Sequence, residues 1–99
     1  MAKRKIIWSH RARIKLYEIL KFYNERNQSN SYSSKLYKKF TKELTLLKKH
    51  QDLGINTEIE SVRGLITGDF VIYYQVTDAV IIVHYVWVCH QDPEELKIL

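Results

Sequence analysis

The last third of the chain, residues 62–96, leaves few folds open. It reads VRGLITGDFVIYYQVTDAVIIVHYVWVCHQDPEEL. Val, Ile, Tyr, Phe and Trp crowd between two short polar breaks, Thr67-Gly68-Asp69 and Thr77-Asp78. β-Branched and aromatic side chains fit a pleated surface, and Gly and Asp supply tight turns, so three short strands joined by two turns are expected. The run Ala79–Val88 is apolar on both alternating faces apart from His84. A strand buried on both sides has that pattern, which places this one at the centre of the sheet.

The remaining segments must pack against those strands. Lys3–Trp8 reads as a short edge strand whose lysines blunt the free edge. Ser9 can cap a helix running from about His10 to Arg26, with Ala12, Leu16, Ile19, Leu20 and Tyr23 on its inner face. Residues 24–31 are polar and read as a loop. A second helix is expected from Tyr32 to His50, with Leu36, Tyr37, Phe40, Leu44 and Leu47 inside. Lys35, Lys38, Lys39, Lys42 and Lys49 gather on its opposite side. Asp52 and Gly54 mark the helix exit. Thr57–Ile66 reads as a strand, with Gly64 a place for a bulge. Pro93 opens a final helical turn, with Glu94 and Glu95 near its positive end. The order is β-α-α-β-β-β. It predicts an α+β fold in which a helical hairpin covers one face of an antiparallel sheet.

At 99 residues the chain makes a single domain, 1–99, with a core that buries roughly 60–70% of the unfolded surface. Its single cysteine, Cys89, rules out an internal disulfide and fits a reducing compartment. The basic start leads into no long apolar run, so no signal peptide is read. No apolar run approaches the ~20 residues needed to span a bilayer. A cytoplasmic protein with no membrane contact is expected. Charge divides the chain. Residues 1–49 hold 14 Lys/Arg and 3 Asp/Glu, and residues 50–99 hold 2 and 8, giving +11 and −6. A basic half of this kind is either a solvated surface or a face for an anionic partner such as nucleic acid or an acidic protein. The lysines Lys35, Lys38, Lys39 and Lys42 are its densest part.

The standard chemical signatures are absent. The three glycines are isolated, so no phosphate-cradling loop exists. Neither CxxC nor HExxH occurs, so no metal and no cofactor are expected. Three polar groups stand out by location: Arg63 in an acidic half, His84 within the most apolar strand, and His90 at that strand's end. If turns pair Ile66 with Asp69 and Val76 with Ala79, then Ile72 faces both Arg63 and Val83, and His84 lies on the other face. A bulge at Gly64 would move Arg63 onto the face of His84 and His90, where a cation and an imidazole could bind and protonate a phosphate. The structural alternatives are an ion pair of Arg63 with Glu58, Glu60 or Asp69, and a hydrogen-bonded core histidine at 84. Tyr73, Tyr74 and Tyr85 read as core before they read as a stacking platform. Trp8 and Trp87 read as core or rim packing.

The pattern resembles the RelE/ParE superfamily of bacterial type II toxins. The residues that carry the likeness are IIWSHRA leading into a helix with LYEILKFY, a lysine-rich second helix, then VRGLITGDFVIYYQV and IIVHYVWVCHQDPEEL. Within these, the family's arginine before a Gly-aromatic turn falls on Arg63 and Gly68–Phe70. Its I-Y-Y-like strand falls on Ile72–Tyr74, and its closing H-Q-x-D-P-like residues on His90–Pro93. The resemblance implies a small sheet with a helical hairpin and a cognate acidic antitoxin. Homodimer and heterotetramer with that antitoxin both stay open. It implies one of two targets: DNA gyrase for ParE-like members, or messenger RNA in the ribosome for RelE-like ones. The residue after the Gly-Asp-Phe turn, often arginine in the nucleases, is Val71 here, and residues 57–96 hold a single Lys/Arg, Arg63. A phosphorane-like transition state usually needs more than one cation, so the departure favours the ParE-like reading, gyrase inhibition, or a chain whose toxicity has decayed. The alternatives are a ribosome-dependent endoribonuclease, with Arg63 as phosphate clamp and His90 as acid/base, and a non-enzymatic nucleic-acid-binding module that uses the lysines.

Overall fold

The computed structural model describes residues 4–89; His90 and the helical turn expected at Pro93 lie outside them. The elements are β1 (Lys5–Trp8), α1 (His10–Asn27), α2 (Ser31–Leu46), β2 (Ile55–Asn56), β3 (Val62–Thr67), β4 (Phe70–Val76) and β5 (Val80–Val88). They form a five-stranded sheet in the order β1-β5-β4-β3-β2, with the two helices on one face. The α+β architecture is the one expected, with three differences. The strand expected at Thr57–Ile66 begins only at Val62, as β3, and a two-residue strand, β2, precedes the expected segment at Ile55–Asn56. The sheet is mostly, not wholly, antiparallel, because β1 joins β5 in parallel, Ile6 beside Ile81 and Trp8 beside Val83. The central strand is β4, with β5 one place from the edge.

Local chemistry sets the helix ends. Ser9 is extended and accepts a hydrogen bond from the Ala12 amide at 3.1 Å, which satisfies one of the unpaired donors of the first turn of α1. Gln28 takes the left-handed conformation, φ 51°, and closes the helix by donating its amide to the Asn24 carbonyl. The Ser33 hydroxyl then bonds the Asn24 side chain, tying the start of α2 to the end of α1.

The core lies between the helices and the inner face of the sheet. Leu36, Phe40 and Leu44 from α2, with Leu47 at its C-cap, meet Leu65, Phe70, Ile72, Tyr74, Ile81, Val83 and Val86 from the sheet. Each such side chain fully buried contributes about 1.5–3 kcal/mol. Phe40 meets Phe70 edge-on, with ring centroids 5.2 Å apart and an interplanar angle of 87°. Tyr37, expected inside, is 50% exposed; it lies on the flank of α2 that faces the interhelical groove rather than the sheet. In its place α1 buries a residue the pattern did not single out. Lys15 is 4% exposed, on the same face as Ala12 and Ile19.

A bulge divides β5. Tyr74 lies opposite Val83 but Tyr73 lies opposite Tyr85, so His84 is the extra residue. Because side chains alternate, this insertion decides which apolar set faces inward. Ile81 and Val83 face the helices before it, and Val86 does so after it, while Tyr85 and Trp87 go to the outer face with Tyr73 and Val71. The double apolar pattern of this strand therefore comes from one buried face and one face that neither α1 nor α2 packs over. The turns also differ from expectation. Thr67 pairs with Phe70 across Gly68-Asp69, and Ile72 lies between Leu65 and Val86. Gly68 adopts φ 58°, a conformation that glycine takes without strain.

Loop 50–57 is fastened by a phenol. Tyr74 is fully buried; its hydroxyl donates to the Gln51 carbonyl at 2.7 Å and accepts from the Gly54 amide at 2.9 Å. A Cβ on Gly54 would come within 2.7 Å of the Tyr74 ring, which explains the glycine there. We expect Tyr74→Phe to strand one carbonyl and one amide and to cost about 1–3 kcal/mol, read as a lower urea midpoint with an unchanged slope.

Burial lowers the Lys15 pKa from its ordinary 10.5, and the nearby Glu18 carboxylate opposes the shift only in part. Below the folded-state value the ammonium must be carried at a desolvation cost. Between that value and 10.5 the unfolded chain holds more protons than the folded one, so the contribution of this group to stability rises with pH. Lys15→Met should melt at a higher temperature than the parent at about pH 7, and that advantage should shrink toward about pH 10. The comparison within each pH removes the effect of Tyr23 and Tyr74, whose pKa values burial raises in both proteins.

Candidate functional site

Arg63 lies opposite Tyr74 in the β3–β4 ladder, so both point toward the helix side of the sheet. Its Nη1 donates to the Gly54 carbonyl at 2.9 Å. Gly54 is therefore held at both ends of its residue, by the Tyr74 hydroxyl at the amide and by Arg63 at the carbonyl. Gly64, the expected bulge, pairs regularly with Tyr73, so Arg63 is not turned to the face of His84. No ion pair of Arg63 with Glu58 or Glu60 is observed among the described residues; the guanidinium is engaged with backbone instead. Nearby, Arg4 Nε donates to the Thr77 carbonyl at 2.7 Å. The two arginines, with Asp52 and Asp78, line a polar hollow of about 400 Å³ at one end of the sheet.

The outer face carries a different set. His84 Nε2 lies 2.9 Å from Gln75 Oε1, and the Ser9 hydroxyl donates to the His84 carbonyl at 3.1 Å. The histidine is hydrogen-bonded, as expected, but on the outer face rather than in the core. The Arg11 guanidinium stacks over the Tyr85 ring, 4.5 Å from its centroid. These residues and Tyr73 share a broad hollow of about 1030 Å³, bordered across the sheet by Ile55, Ile59 and Ile66, which are 59%, 64% and 60% exposed. Sequence reading missed Arg11 and took Tyr73 and Tyr85 for core, whereas of the three tyrosines named only Tyr74 is in the core. Nothing in the spacing links positions 74 residues apart; the parallel β1–β5 pairing brings them together.

Lys35, Lys38, Lys39 and Lys42 are all exposed on α2, as expected, but they do not act as one group. Lys35 and Lys39 border a hollow of about 170 Å³ against the β3–β4 turn. Lys38 and Lys21 border a groove of about 570 Å³ between the helices, with Tyr17 and Tyr37. Lys42 borders neither hollow. Among the described residues, no group of three or more His, Cys, Asp or Glu is placed to hold a metal ion, and no helix is long and apolar enough to cross a membrane.

Comparison with known proteins places this fold. Among curated proteins none matches the sequence at a significant level. Among solved structures, the chain is similar to the chromosomal ParDE toxin–antitoxin system from P. aeruginosa, with a TM-score of 0.74 and 18% identity, covering 87% of this chain and 96% of that one. It is also similar to the DinJ–YafQ toxin–antitoxin complex from E. coli, with a TM-score of 0.57 and 12% identity over 88% and 93% of the two chains. YafQ from E. coli strain BL21(DE3) gives a TM-score of 0.52 and 14% identity over 87% and 93%. At these identities the likeness speaks for the fold alone. The sequence itself matches the family model of the ParE toxin of the type II toxin–antitoxin system, parDE, over residues 6–93. The match spans nearly the whole chain, and the protein belongs to the ParE toxin family of type II toxin–antitoxin systems.

Proposed function

We propose that this toxin acts in the cytoplasm by inhibiting DNA gyrase and that a cognate acidic antitoxin neutralises it. The observation that carries the reading, beyond family membership, is where the cations are. Among the described strand residues only Lys5 and Arg63 are Lys or Arg, and the Arg63 guanidinium is engaged with the Gly54 carbonyl. RNA cleavage requires charge stabilisation at a developing phosphorane, and the described sheet supplies little of it. The helical hairpin, by contrast, presents Lys35, Lys38, Lys39 and Lys42 to solvent. That surface suits an acidic partner, steering its approach and fixing its orientation.

A second reading keeps the endoribonuclease. Its support is the outer-face cluster, where Arg11, Tyr85 and His84 stand together in an open hollow. The candidates from sequence, Arg63 as phosphate clamp and His90 as acid/base, are tested beside that cluster, although Arg63 stands on the opposite, helix-side face of the sheet. The third reading, a nucleic-acid-binding module, would draw on the same lysines.

Induced expression with pulse labelling separates these readings. Under the gyrase reading, DNA synthesis stops first, cells become filamentous, purified toxin blocks supercoiling by gyrase, and co-expression of the antitoxin restores growth. An early stop in protein synthesis with cleaved messenger RNA would favour the nuclease, and Arg63→Ala and His90→Ala should then each abolish cleavage. No arrest, with strongly salt-dependent binding to DNA or RNA, would leave the binding module. The association rate of toxin with antitoxin should fall steeply as salt is raised from about 0.05 M to about 0.5 M, because long-range attraction to the lysine surface is screened.

A further inference from the structure

The hollow between α2 and the β3–β4 turn differs from the rest of the lysine surface. Lys35 and Lys39 stand one helical turn apart, so both project from the same side of α2. The Lys39 ammonium lies 3.0 Å from where a Cβ on Gly68 would sit, so a glycine at this left-handed turn position lets the cation come down onto the backbone. Leu36 and Phe70 form the floor of the hollow, and Tyr32 and Asp69 complete its rim. Thr67, 3% exposed, also lines it, and among the described residues its hydroxyl is the buried side-chain polar atom that has no hydrogen-bond partner. Buried hydroxyls are normally satisfied. One left unpaired beside two ammonium groups is a donor waiting for an acceptor.

We propose that this hollow seats a single carboxylate from an acidic partner segment, held between Lys35 and Lys39 and hydrogen-bonded by the Thr67 hydroxyl. Charge selects the ligand. Two ammonium groups and a neutral hydroxyl donor around a hollow of about 170 Å³ suit one planar carboxylate, whose two oxygens can meet the lysines and the hydroxyl together. Access is through the lysines themselves, whose long exposed stems can swing off the turn while the strand and helix backbones stay fixed. The inference rests on the proposed acidic partner and narrows it. Of the four lysines on the helix surface, two build a defined seat, and Lys38 and Lys42 contribute only general attraction.

A synthetic hexaglutamate peptide, titrated by calorimetry at low salt, tests this on the full chain. Lys35→Gln and Lys39→Gln should each weaken binding about tenfold, as expected for loss of a charge-assisted hydrogen bond. Lys38→Gln and Lys42→Gln should cost distinctly less, and Lys48→Gln, outside the hollow, less still. Thr67→Val keeps the side-chain shape and removes the unpaired hydroxyl, so its melting temperature should hold or rise while peptide affinity drops several-fold. Equal losses at Lys35, Lys38, Lys39 and Lys42, or unchanged affinity in Thr67→Val, would overturn the seat. Inorganic phosphate displacing the peptide at equal concentration would overturn the carboxylate assignment. Growth arrest and its neutralisation are read separately. Arrest with equivalent lysines removes the seat and leaves the toxin reading, and selective peptide loss without arrest does the reverse.

Discussion

The contact on which the molecule turns is Phe40 against Phe70. One ring comes from the middle of α2 and the other from the first residue of β4, and their edge-on meeting joins the two layers of the fold. It fixes how far α2 is rolled about its own axis. With Phe40 turned fully inward, Leu36, Leu44 and Leu47 follow by helical spacing, and Lys38 and Lys42 are left exposed to solvent. The same contact brings the flank of the helix down over the β3–β4 turn, which is why Lys39 reaches Gly68. Hydrophobic packing thus decides the address of each charge.

Much of this was legible in the residues. Ser9 as a cap, Leu36, Phe40, Leu44 and Leu47 as the inward residues of the second helix, though not Tyr37, and the strands around the Gly68 turn follow from local chemistry and period. The outcome on β5 was not legible. AVIIVHYVWV offers two equally apolar faces, and only the register with β4 shows that His84 is an inserted residue that exchanges them. The parallel β1–β5 edge was hidden for a similar reason, since 75 residues separate Ile6 from Ile81 and no periodicity spans that gap. Arg63 was visible as an oddity, a lone cation in an acidic half. Its partner was a backbone carbonyl, Gly54, and carbonyls leave no trace in composition.

The functional surfaces divide along the same line. The lysines were found by spacing because an exposed helix face advertises itself. The outer sheet face was not found, since Arg11 and Tyr85 become neighbours only when the first strand is laid beside the last. A sheet with one side packed and the other left to tyrosine, tryptophan and isoleucine is a costly arrangement for 99 residues, because small domains need most of their apolar area for the core. The family supplies context: such chains belong to two-component systems, and a surface kept out of the core is available to another component.

Tyr74 has a further consequence, for motion. The Gly54 amide is held by a phenolic oxygen and not by a neighbouring strand. Its exchange with solvent deuterium is therefore governed by rotation of one side chain, while amides in the β4–β5 ladder exchange only when the ladder parts. The segment from Gln51 to Gly54 is latched to the sheet through the Tyr74 hydroxyl and the Arg63 guanidinium, just ahead of the β2–β3 ladder that holds Ile55 and Asn56. Its opening does not require the β4–β5 ladder to part, so this corner of the protein has a clock of its own.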